Sequence, residues 1–432
     1  MSYPQPLPAT AHPLRPQSWP FDADLLPPTA HLVGGSVRDA LLHRQADYLD
    51  LDFVLPAQAI ETASRIAKCY RAGFVVLDAQ NQIARAVFDQ ATIDFAQQVG
   101  PTLETDLRRR DFTINAIAYH PSTDRLIDPL GGIADLKQQT LRMVCHENLA
   151  EDPLRLLRAY RQAAQLGFRI DDTTRATIRE LAPLLKTMAA ERVRHELDAL
   201  ISKPTGTRCL QMAYQDGLLA DWLPHLSAVH FSHLTAIDKA LNAFAPYADY
   251  WQHLHSWPQT VPPGHYRSWV KIAKLSQLLP ADEATAETCL AQLKYSRNET
   301  QAVLKVLQAQ PSIDLLLKAT PTREQLFFFF KSVGLSFAAV SLVAAAQGCS
   351  FETLLPLVKR YQTPSDPLAH PKPLLTGREL MQQLTLKPGP EIGQLLAAIE
   401  QQQAKGTLTS AAAALEWAKA WQTSRASTDQ KP

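Results

Sequence analysis

The sequence LDLDF, residues 49–53, sets two aspartates one position apart inside an apolar run. Because side chains alternate between the two faces of a β-strand, this spacing predicts that Asp50 and Asp52 share one face and their apolar neighbours the other. Two carboxylates about 4 Å apart repel each other by about 4 kcal/mol at an effective dielectric constant near 20. A strand keeps such a pair when both groups face water, when they share a proton, or when they hold a cation such as Mg²⁺.

The segments on either side of this strand contain residue types that bind phosphates. In HLVGGSVRD, residues 31–39, an apolar run ends in a glycine pair that lets the backbone approach a ligand closely. The amides at the N-terminus of the helix that follows Gly34 and Gly35, together with the guanidinium of Arg38, would suit a triphosphate. Downstream, Asp94 offers a third carboxylate in the strand-like run TIDF, and Arg110 ends an arginine run that meets an apolar segment. A tight turn and a solvated arginine face are the structural alternatives for the glycines and the arginines.

A second informative stretch is EDPLRLLRAYR, residues 151–161, which has the features of a helix start. At 100° per residue, Arg155, Arg158 and Arg161 fall on one flank of that helix. Asp152 lies one turn before the first arginine, so an acceptor and a donor can meet one planar partner. Cytosine carries an amino donor beside two acceptors on its pairing edge, which matches this arrangement. An amphipathic helix with ordinary exposed arginines is the alternative.

Composition bounds the class of protein. A chain of 432 residues is expected to form about two to four domains, and 46% apolar with 20% charged residues is typical of a globular protein. The net charge of +1 means that any binding of nucleic acid depends on local positive surfaces. Five scattered cysteines without a CxxC spacing fit a reducing compartment. The apolar stretch at residues 337–348 is too short to cross a bilayer, so we expect a cytoplasmic protein without a membrane partner.

The predicted secondary structure changes along the chain. Up to about residue 141, short β-branched runs alternate with helical stretches, whereas helical periodicity interrupted by prolines continues from about residue 147 to the end. We therefore predict an α+β chain with an N-terminal mixed sheet followed by an all-helical remainder.

Five motifs in series resemble those of the tRNA nucleotidyltransferase and poly(A) polymerase family, the bacterial-type (class II) branch of the DNA-polymerase-beta-like nucleotidyltransferases. They are LVGGSVRD (32–39), LDLDF (49–53), RRRDFTINAIA (108–118), EDPLRLLRAYRQAAQLGF (151–168) and ERVRHEL (191–197). The resemblance covers residues 31–200 well and residues 374–405 fairly well, while residues 206–360 match only as a generic helical body.

The resemblance implies a mixed five-stranded palm followed by helical neck, body and tail regions that hold the acceptor arm of tRNA. The expected regions are a loose proline-rich lead-in (1–28), a nucleotidyltransferase head (29–141), a neck (142–205), a body (206–362) and a tail that binds tRNA (363–432).

The resemblance also assigns roles to single residues. Asp50 and Asp52 correspond to the ligands of Mg²⁺, expected as two ions, and Asp94 to a third catalytic carboxylate that activates the attacking hydroxyl. Gly35, Arg38 and Arg110 are expected to contact the phosphates of the nucleotide, and Arg110 is also expected to be catalytic. Asp152 and Arg155 are expected to read the base. Arg158 and Arg161 are expected to support the contacts with the base or the phosphates. The ERVRHEL motif is expected to brace the neck.

The implied reaction is attack of the tRNA 3′-hydroxyl on the α-phosphate of CTP, and possibly of ATP, with release of pyrophosphate and without a nucleic-acid template. After Asp94 the chain has only AQQVGPTLETDL (96–107) before the arginine run, and the arginine that often follows the third carboxylate is absent. Family members that build the whole CCA end carry a longer mobile loop there. We therefore predict a CC-adding enzyme whose product passes to a separate A-adding enzyme.

Three other functions remain open from the sequence. Full CCA addition is the first, and poly(A) polymerase activity is the second, although the chain lacks the strongly basic C-terminal extension that such polymerases often carry. A non-catalytic module that binds tRNA is the third. The presence of both aspartates of LDLDF, which correspond to the catalytic positions, makes this function the least favoured.

Overall fold

A computed structural model describes residues 12–44, 48–203, 205–259, 266–318 and 320–428. A boundary between Asp221 and Trp222 divides the described chain into two compact units. The predicted head, neck, body and tail boundaries stay predictions.

The first unit is built on a mixed sheet in the order β3-β4-β5-β2-β1-β6-β7. Its strands are β1 (His31–Val33), β2 (Leu49–Leu55), β3 (Gly73–Asp78), β4 (Ile83–Phe88), β5 (Ala91–Gln97), β6 (Ala118–His120) and β7 (Arg125–Ile127). Strand β2 pairs in parallel with β5 and antiparallel with β1. The mixed sheet is confirmed, but the expected count of five strands is wrong for the described residues. The short hairpin β6–β7 extends the sheet beyond β1, which contributes to a total of seven.

Helices of the first unit cover the sheet and continue beyond it. They are α1 (Gly35–Leu41), α2 (Ala59–Tyr70), α3 (Leu103–Leu107), α4 (Gly132–Lys137), α5 (His146–Glu151), α6 (Leu154–Leu166), α7 (Asp172–Leu181), α8 (Ala190–Ile201) and α9 (Gly206–Gln215). A small parallel ladder joins β8 (Thr140–Leu141) to β9 (Arg169–Ile170). Apart from this ladder, the expected change to helical structure after residue 147 is confirmed for the described part of the chain.

The side chains of β2 alternate as its sequence predicts. Leu51 and Phe53 are buried on one face, whereas Asp50 is exposed on the other. The apolar face is covered by the N-terminal segment, where the rings of Trp19 and Phe21 lie 5.2 and 6.1 Å from the ring of Phe53. The expectation of a loose lead-in is therefore wrong for residues 12–28, because burial of these two aromatic side chains holds the segment against the sheet.

The second unit is helical throughout its described residues. Its helices are α10 (Ala228–Phe244), α11 (Ala248–Leu254), α12 (Trp269–Ser276), α13 (Glu283–Gln292), α14 (Arg297–Gln308), α15 (Gln310–Lys318), α16 (Arg323–Val333), α17 (Phe337–Ala346), α18 (Phe351–Gln362), α19 (Gly377–Leu384), α20 (Pro390–Lys405) and α21 (Ala411–Thr428). Helices α12 and α17 are largely buried, and α17 packs against both α10 and α12.

One stretch, Arg323–Ala346, is long and apolar enough to cross a membrane by length and composition. It is longer than the run read from the sequence because α16 continues into α17 through a single 3₁₀ turn. Within the fold, 67% of its apolar window is buried, as in the core helix of a soluble protein, so it is weak evidence for a membrane span. The expected cytoplasmic location and the absence of a membrane partner stay predictions.

Candidate active site

Three carboxylates meet on the polar face of the sheet. Asp52 of β2 lies opposite Asp94 of β5, and Asp50 lies opposite Thr92, whose hydroxyl donates a hydrogen bond to Asp50 Oδ1 at 2.6 Å. Asp94 also lies opposite Arg85 of β4, which donates from Nε at 2.6 Å and from Nη2 at 2.8 Å. The sheet register therefore brings the three predicted carboxylates together and adds one arginine.

Negative charge accumulates at Asp52. Burial, followed by repulsion from Asp50 and Asp94, raises the pKa of Asp52 to about 7. The positive charges of Arg110 and Arg85 act in the opposite direction but do not cancel the effect. An ionised Asp52 would therefore be stabilised by a further cation, and the donor atoms present are all oxygens.

These residues fit a magnesium ion that shares its coordination with a substrate. The described residues contain no group of three or more His, Cys, Asp or Glu side chains arranged to hold a metal by themselves. Mg²⁺ typically uses one or two carboxylates, water and the phosphates of its substrate rather than a cage made only of protein. Asp50 and Asp52 are the pair that could supply those carboxylates.

The glycine turn between β1 and α1 lies directly against the carboxylates. Gly34 has a φ of +80°, and a Cβ added there would lie 3.3 Å from both Asp52 Oδ2 and Arg110 Nη1. A side chain at this position would therefore crowd the aspartate and strain the backbone. The turn, Asp52 and Arg110 form one contiguous wall.

Arg38 is buried next to this wall. Its Nε and Nη2 donate to the two carboxylate oxygens of Asp39 at 2.9 Å each, and its Nη1 donates to Asn115 Oδ1 at 2.7 Å. Asn115 in turn donates to Asp111 and to Gln162, at 2.9 and 3.0 Å. Arg38 thus ties α1 to the RRRDFTIN motif, and its predicted contact with a phosphate stays a prediction.

Two adjoining cavities extend from the carboxylates. The larger, of about 380 Å³, is lined by the glycine turn and by Asp50, Asp52, Arg38, Arg110, Arg158 and Arg161, among others. The smaller, of about 290 Å³, is lined by Asp106, Arg109, Arg110, Asp111, Arg155 and Arg158. Because Arg110, Asp111 and Arg158 belong to both, the cavities form one cleft with an acidic floor and arginine-rich walls.

The predicted base-reading residues are held by separate partners. Helix α6 begins at Leu154, whose amide donates to Asp152 Oδ1 at 3.3 Å, while Asp152 Oδ2 accepts from Arg192 Nη2 at 2.9 Å. Arg155 Nη1 donates to the backbone carbonyls of Arg109 and Asn148, at 3.1 and 2.9 Å. Among the described residues, the hydrogen bonds of Arg155 come from Nη1, which leaves its Nε and Nη2 to a ligand that enters the smaller cavity.

The two remaining arginines of α6 are paired with acids from distant segments. Arg158 Nη1 lies 3.3 Å from Asp111 Oδ2, and its Nε lies 3.6 Å from Glu196 Oε1. Arg161 also pairs with Glu196 and donates to Gln165 at 3.1 Å. Glu196 belongs to the ERVRHEL motif, which therefore links α8 to α6, as expected of a brace.

Helix α6 is also fixed on the side away from the cleft. The Tyr160 hydroxyl donates to Asp216 Oδ2 at 2.5 Å, and Arg175 and Arg179 pair with the same carboxylate at 2.6 and 2.7 Å. These bonds join α6, α7 and the end of α9. These bonds therefore fix the orientation of α6 and of the arginines on its flank.

Several residues at the site were not found by sequence reasoning. Arg85 lies in a strand without a motif, and only the register of β4 on β5 shows that it faces Asp94. Arg192 and Asn115 lie inside motifs, but their partners Asp152 and Arg38 are remote in sequence. The sequence shows only that each of these residues is polar and lies inside a strand or a motif. It does not show which side chain the residue contacts.

Comparison with known proteins identifies relatives along nearly the whole chain. The poly A polymerase head domain matches residues 30–142, an RNA- and SrmB-binding region of polymerase A matches residues 167–229, and domain 2 of tRNA nucleotidyltransferases matches residues 267–418. A CC-adding tRNA nucleotidyltransferase of Synechocystis sp. is 47% identical over 93% of this chain and 96% of its own length. An A-adding tRNA nucleotidyltransferase of Deinococcus radiodurans is 32% identical over 91% and 96%.

Solved structures share the fold. The CCA-adding enzyme of Bacillus stearothermophilus in complex with CTP superposes with a TM-score of 0.69 at 24% identity, over 92% of this chain and 94% of that one. A CCA-adding enzyme with ATP gives the same TM-score at 22% identity, over 90% and 91%. With its sheet, its carboxylates and these relatives, the chain belongs to the tRNA nucleotidyltransferase and poly(A) polymerase family of nucleotidyltransferases.

Proposed function

We propose that this protein adds cytidines to the 3′ end of tRNA, using CTP and releasing pyrophosphate. The observation that carries the proposal is the convergence of Asp50, Asp52 and Asp94 on one sheet face, against a glycine turn and an arginine-lined cleft. The carboxylates suit the Mg²⁺ that the reacting phosphate needs and the proton of the attacking hydroxyl. The arginines suit the charge of the triphosphate.

The chain's own residues have distinct tasks in this reaction. Asp50 and Asp52 would hold Mg²⁺, expected as two ions, which when bound would polarise the α-phosphate and support the attacking and leaving oxygens. The glycine turn lets the triphosphate approach Asp52, and Arg110 offsets its charge. Asp94, oriented by Arg85, accepts the proton of the tRNA 3′-hydroxyl.

Selection of the base is assigned to Asp152 and Arg155. The Asp152 carboxylate would accept from the amino group of cytosine, and Arg155 would donate to its ring nitrogen or carbonyl oxygen. UTP would instead set a carbonyl oxygen against the carboxylate. A good bidentate contact is worth about 1–3 kcal/mol, which corresponds to about 5- to 150-fold discrimination.

The connection after Asp94 supports addition of cytidines without the terminal adenosine. Strand β5 ends at Gln97 and α3 begins at Leu103, so only residues 98–102 lie between them. Their backbone is pinned, because the Gln98 amide donates to Leu55 O at 2.7 Å and the Val99 amide to Asp106 Oδ1 at 3.0 Å. A base pocket that must change from cytosine to adenine needs a movable segment, and this connection offers little freedom.

The relatives support the same choice. The CC-adding relative at 47% identity is more similar than the relatives at 31–32%, which include both CC-adding and A-adding enzymes. A separate enzyme would then add the adenosine.

The test uses tRNA transcripts that end before the CCA sequence, after the first C and after CC, each incubated with Mg²⁺ and one nucleotide at a time. With CTP, we expect two cytidines on the first transcript, one on the second and none on the third. Efficient incorporation of ATP on the third transcript would establish full CCA addition instead. Long adenosine tails on any transcript would establish a poly(A) polymerase, and the absence of any extension would remove the proposal.

A further inference from the structure

The second unit contains a cavity of about 280 Å³ that no motif of the sequence covers. Its polar and aromatic lining includes Trp257, Trp269, Arg297, Asn298, Gln301 and Lys305. We call it the tryptophan pocket.

One wall of the tryptophan pocket is a single face of α14. Arg297, Gln301 and Lys305 recur every four residues and therefore lie on one side of the helix. The other side is anchored, because Val303 is buried and Glu299 pairs with the buried Lys271 at 2.5 Å. The basic face is thus carried by a helix with little freedom to move.

The tryptophan pocket is positively charged. No acidic side chain is among the described residues that line it. Within the described chain, neither Arg297 nor Lys305 has a carboxylate within salt-bridge distance, whereas Lys271, Lys274 and Lys331 each have one. Two cations without a counter-ion favour an anionic ligand.

The opposite wall is aromatic. The Trp257 ring is half-buried and lies 4.9 Å from the ring of Trp269, at an interplanar angle of 42°. Trp269 is 2% exposed, and its indole N–H is buried without a hydrogen-bond partner in the described parts of the chain. A buried donor without a partner is uncommon in protein structures.

We propose that the tryptophan pocket binds one unpaired nucleotide of the tRNA. This proposal rests on the function proposed above. The base stacks on Trp257, the amides of Asn298 and Gln301 face its edge, and Arg297 and Lys305 hold the adjoining phosphate. Proteins bind single-stranded RNA through this combination of aromatic faces and cations. The size of the cavity suits a single base rather than a helix or a peptide segment.

The experiment measures binding of full-length tRNA lacking its CCA end, by fluorescence anisotropy at several salt concentrations. Trp257→Ala is expected to raise the Kd about 5- to 100-fold, while Trp257→Phe keeps most of the affinity. The double variant Arg297→Gln/Lys305→Gln removes the two positive charges and is expected to lower the slope of log Kd against log salt by about 1 to 2. Lys359→Gln, an exposed lysine on α18, is the matched control and should leave Kd and slope unchanged.

Kinetics and chemical probing complete the test. All variants should keep the kcat and the KM for CTP of the unaltered protein. The KM for tRNA should rise only in Trp257→Ala and in the charge variant, and one unpaired nucleotide should lose its protection in Trp257→Ala. If the unaltered protein extends tRNA and both Trp257→Ala and the charge variant bind it normally, the pocket assignment is wrong and the proposed function stands. If the unaltered protein neither binds nor extends tRNA, both fail together.

Discussion

Arg85 and Asp94 lie directly opposite each other on the antiparallel strands β4 and β5, and the guanidinium bonds to both carboxylate oxygens, at 2.6 and 2.8 Å. Asp94 is also the neighbour of Asp52 in the parallel pair β2–β5. Arg85 therefore fixes the orientation of the third carboxylate and lowers the negative charge beside Asp52. The family's usual arginine after this carboxylate is missing from the sequence, and here a neighbouring strand supplies a guanidinium to it.

Replacing Arg85 tests this positioning role. Arg85→Gln is expected to lower the kcat for addition of CMP about 10- to 100-fold, since Asp94 loses its fixed orientation, with the KM for CTP within about 2-fold. Arg85→Lys should restore only part of the rate, because an ammonium cannot form the two parallel bonds. In steady-state assays, the double variant with Asp94→Asn should be no slower than Asp94→Asn alone. An unchanged kcat in Arg85→Gln would show that the pair is only structural.

Arg192 holds the Asp152 carboxylate, which we propose reads the base. Because its guanidinium holds Asp152 Oδ2, Arg192→Ala is expected to lower the preference for CTP over UTP about 3- to 10-fold, as a ratio of kcat/KM values. Arg208→Ala, an exposed arginine on α9, serves as the control and should keep the preference. Equal preference in both variants would contradict the role of the Arg192–Asp152 pair.

Asp52 should destabilise the protein when divalent cations are absent. Its pKa is raised from 3.8 to about 7, so the folded state binds more protons than the unfolded state between these values, and stability falls as the pH rises through this range. In EDTA, Asp52→Asn is expected to raise the melting temperature by about 2–4 °C at pH 8 and by less at pH 5. Calorimetry with and without Mg²⁺ measures this. A stabilisation that does not grow between pH 4 and pH 7, or that Mg²⁺ fails to reduce, would contradict the account.

Local sequence patterns correctly predicted which side chains share one face of a strand or a helix. The alternation in LDLDF placed Asp50 and Asp52 on one face because a strand repeats every two residues whatever its partners are. In the same way, helical periodicity placed the arginines of α6 on one flank. Asp111 and Glu196, which pair with Arg158 and Arg161, come from other segments, and no local pattern predicts these pairs.

Features that depend on distant contacts were missed. Pairing of Arg85 with Asp94 requires the register of two strands, and strand β7 is too short to show a periodic pattern in the sequence. The N-terminal segment was expected to be loose because it is rich in proline, but Trp19 and Phe21 anchor it to the sheet. Burial of two large aromatic rings outweighed the composition of the segment.

The central claim is that the Asp50–Asp52 pair performs the transfer, and the rate of CMP addition to tRNA lacking its CCA end tests it most directly. Asp50→Asn and Asp52→Asn, both of similar shape to the native residue, are expected to lower kcat at least about 1,000-fold while the protein stays folded and binds tRNA. Asp89→Asn, an exposed aspartate in the turn between β4 and β5, should extend tRNA at the rate of the unaltered protein. Extension by Asp52→Asn within about tenfold of that rate would contradict the assignment of the active site.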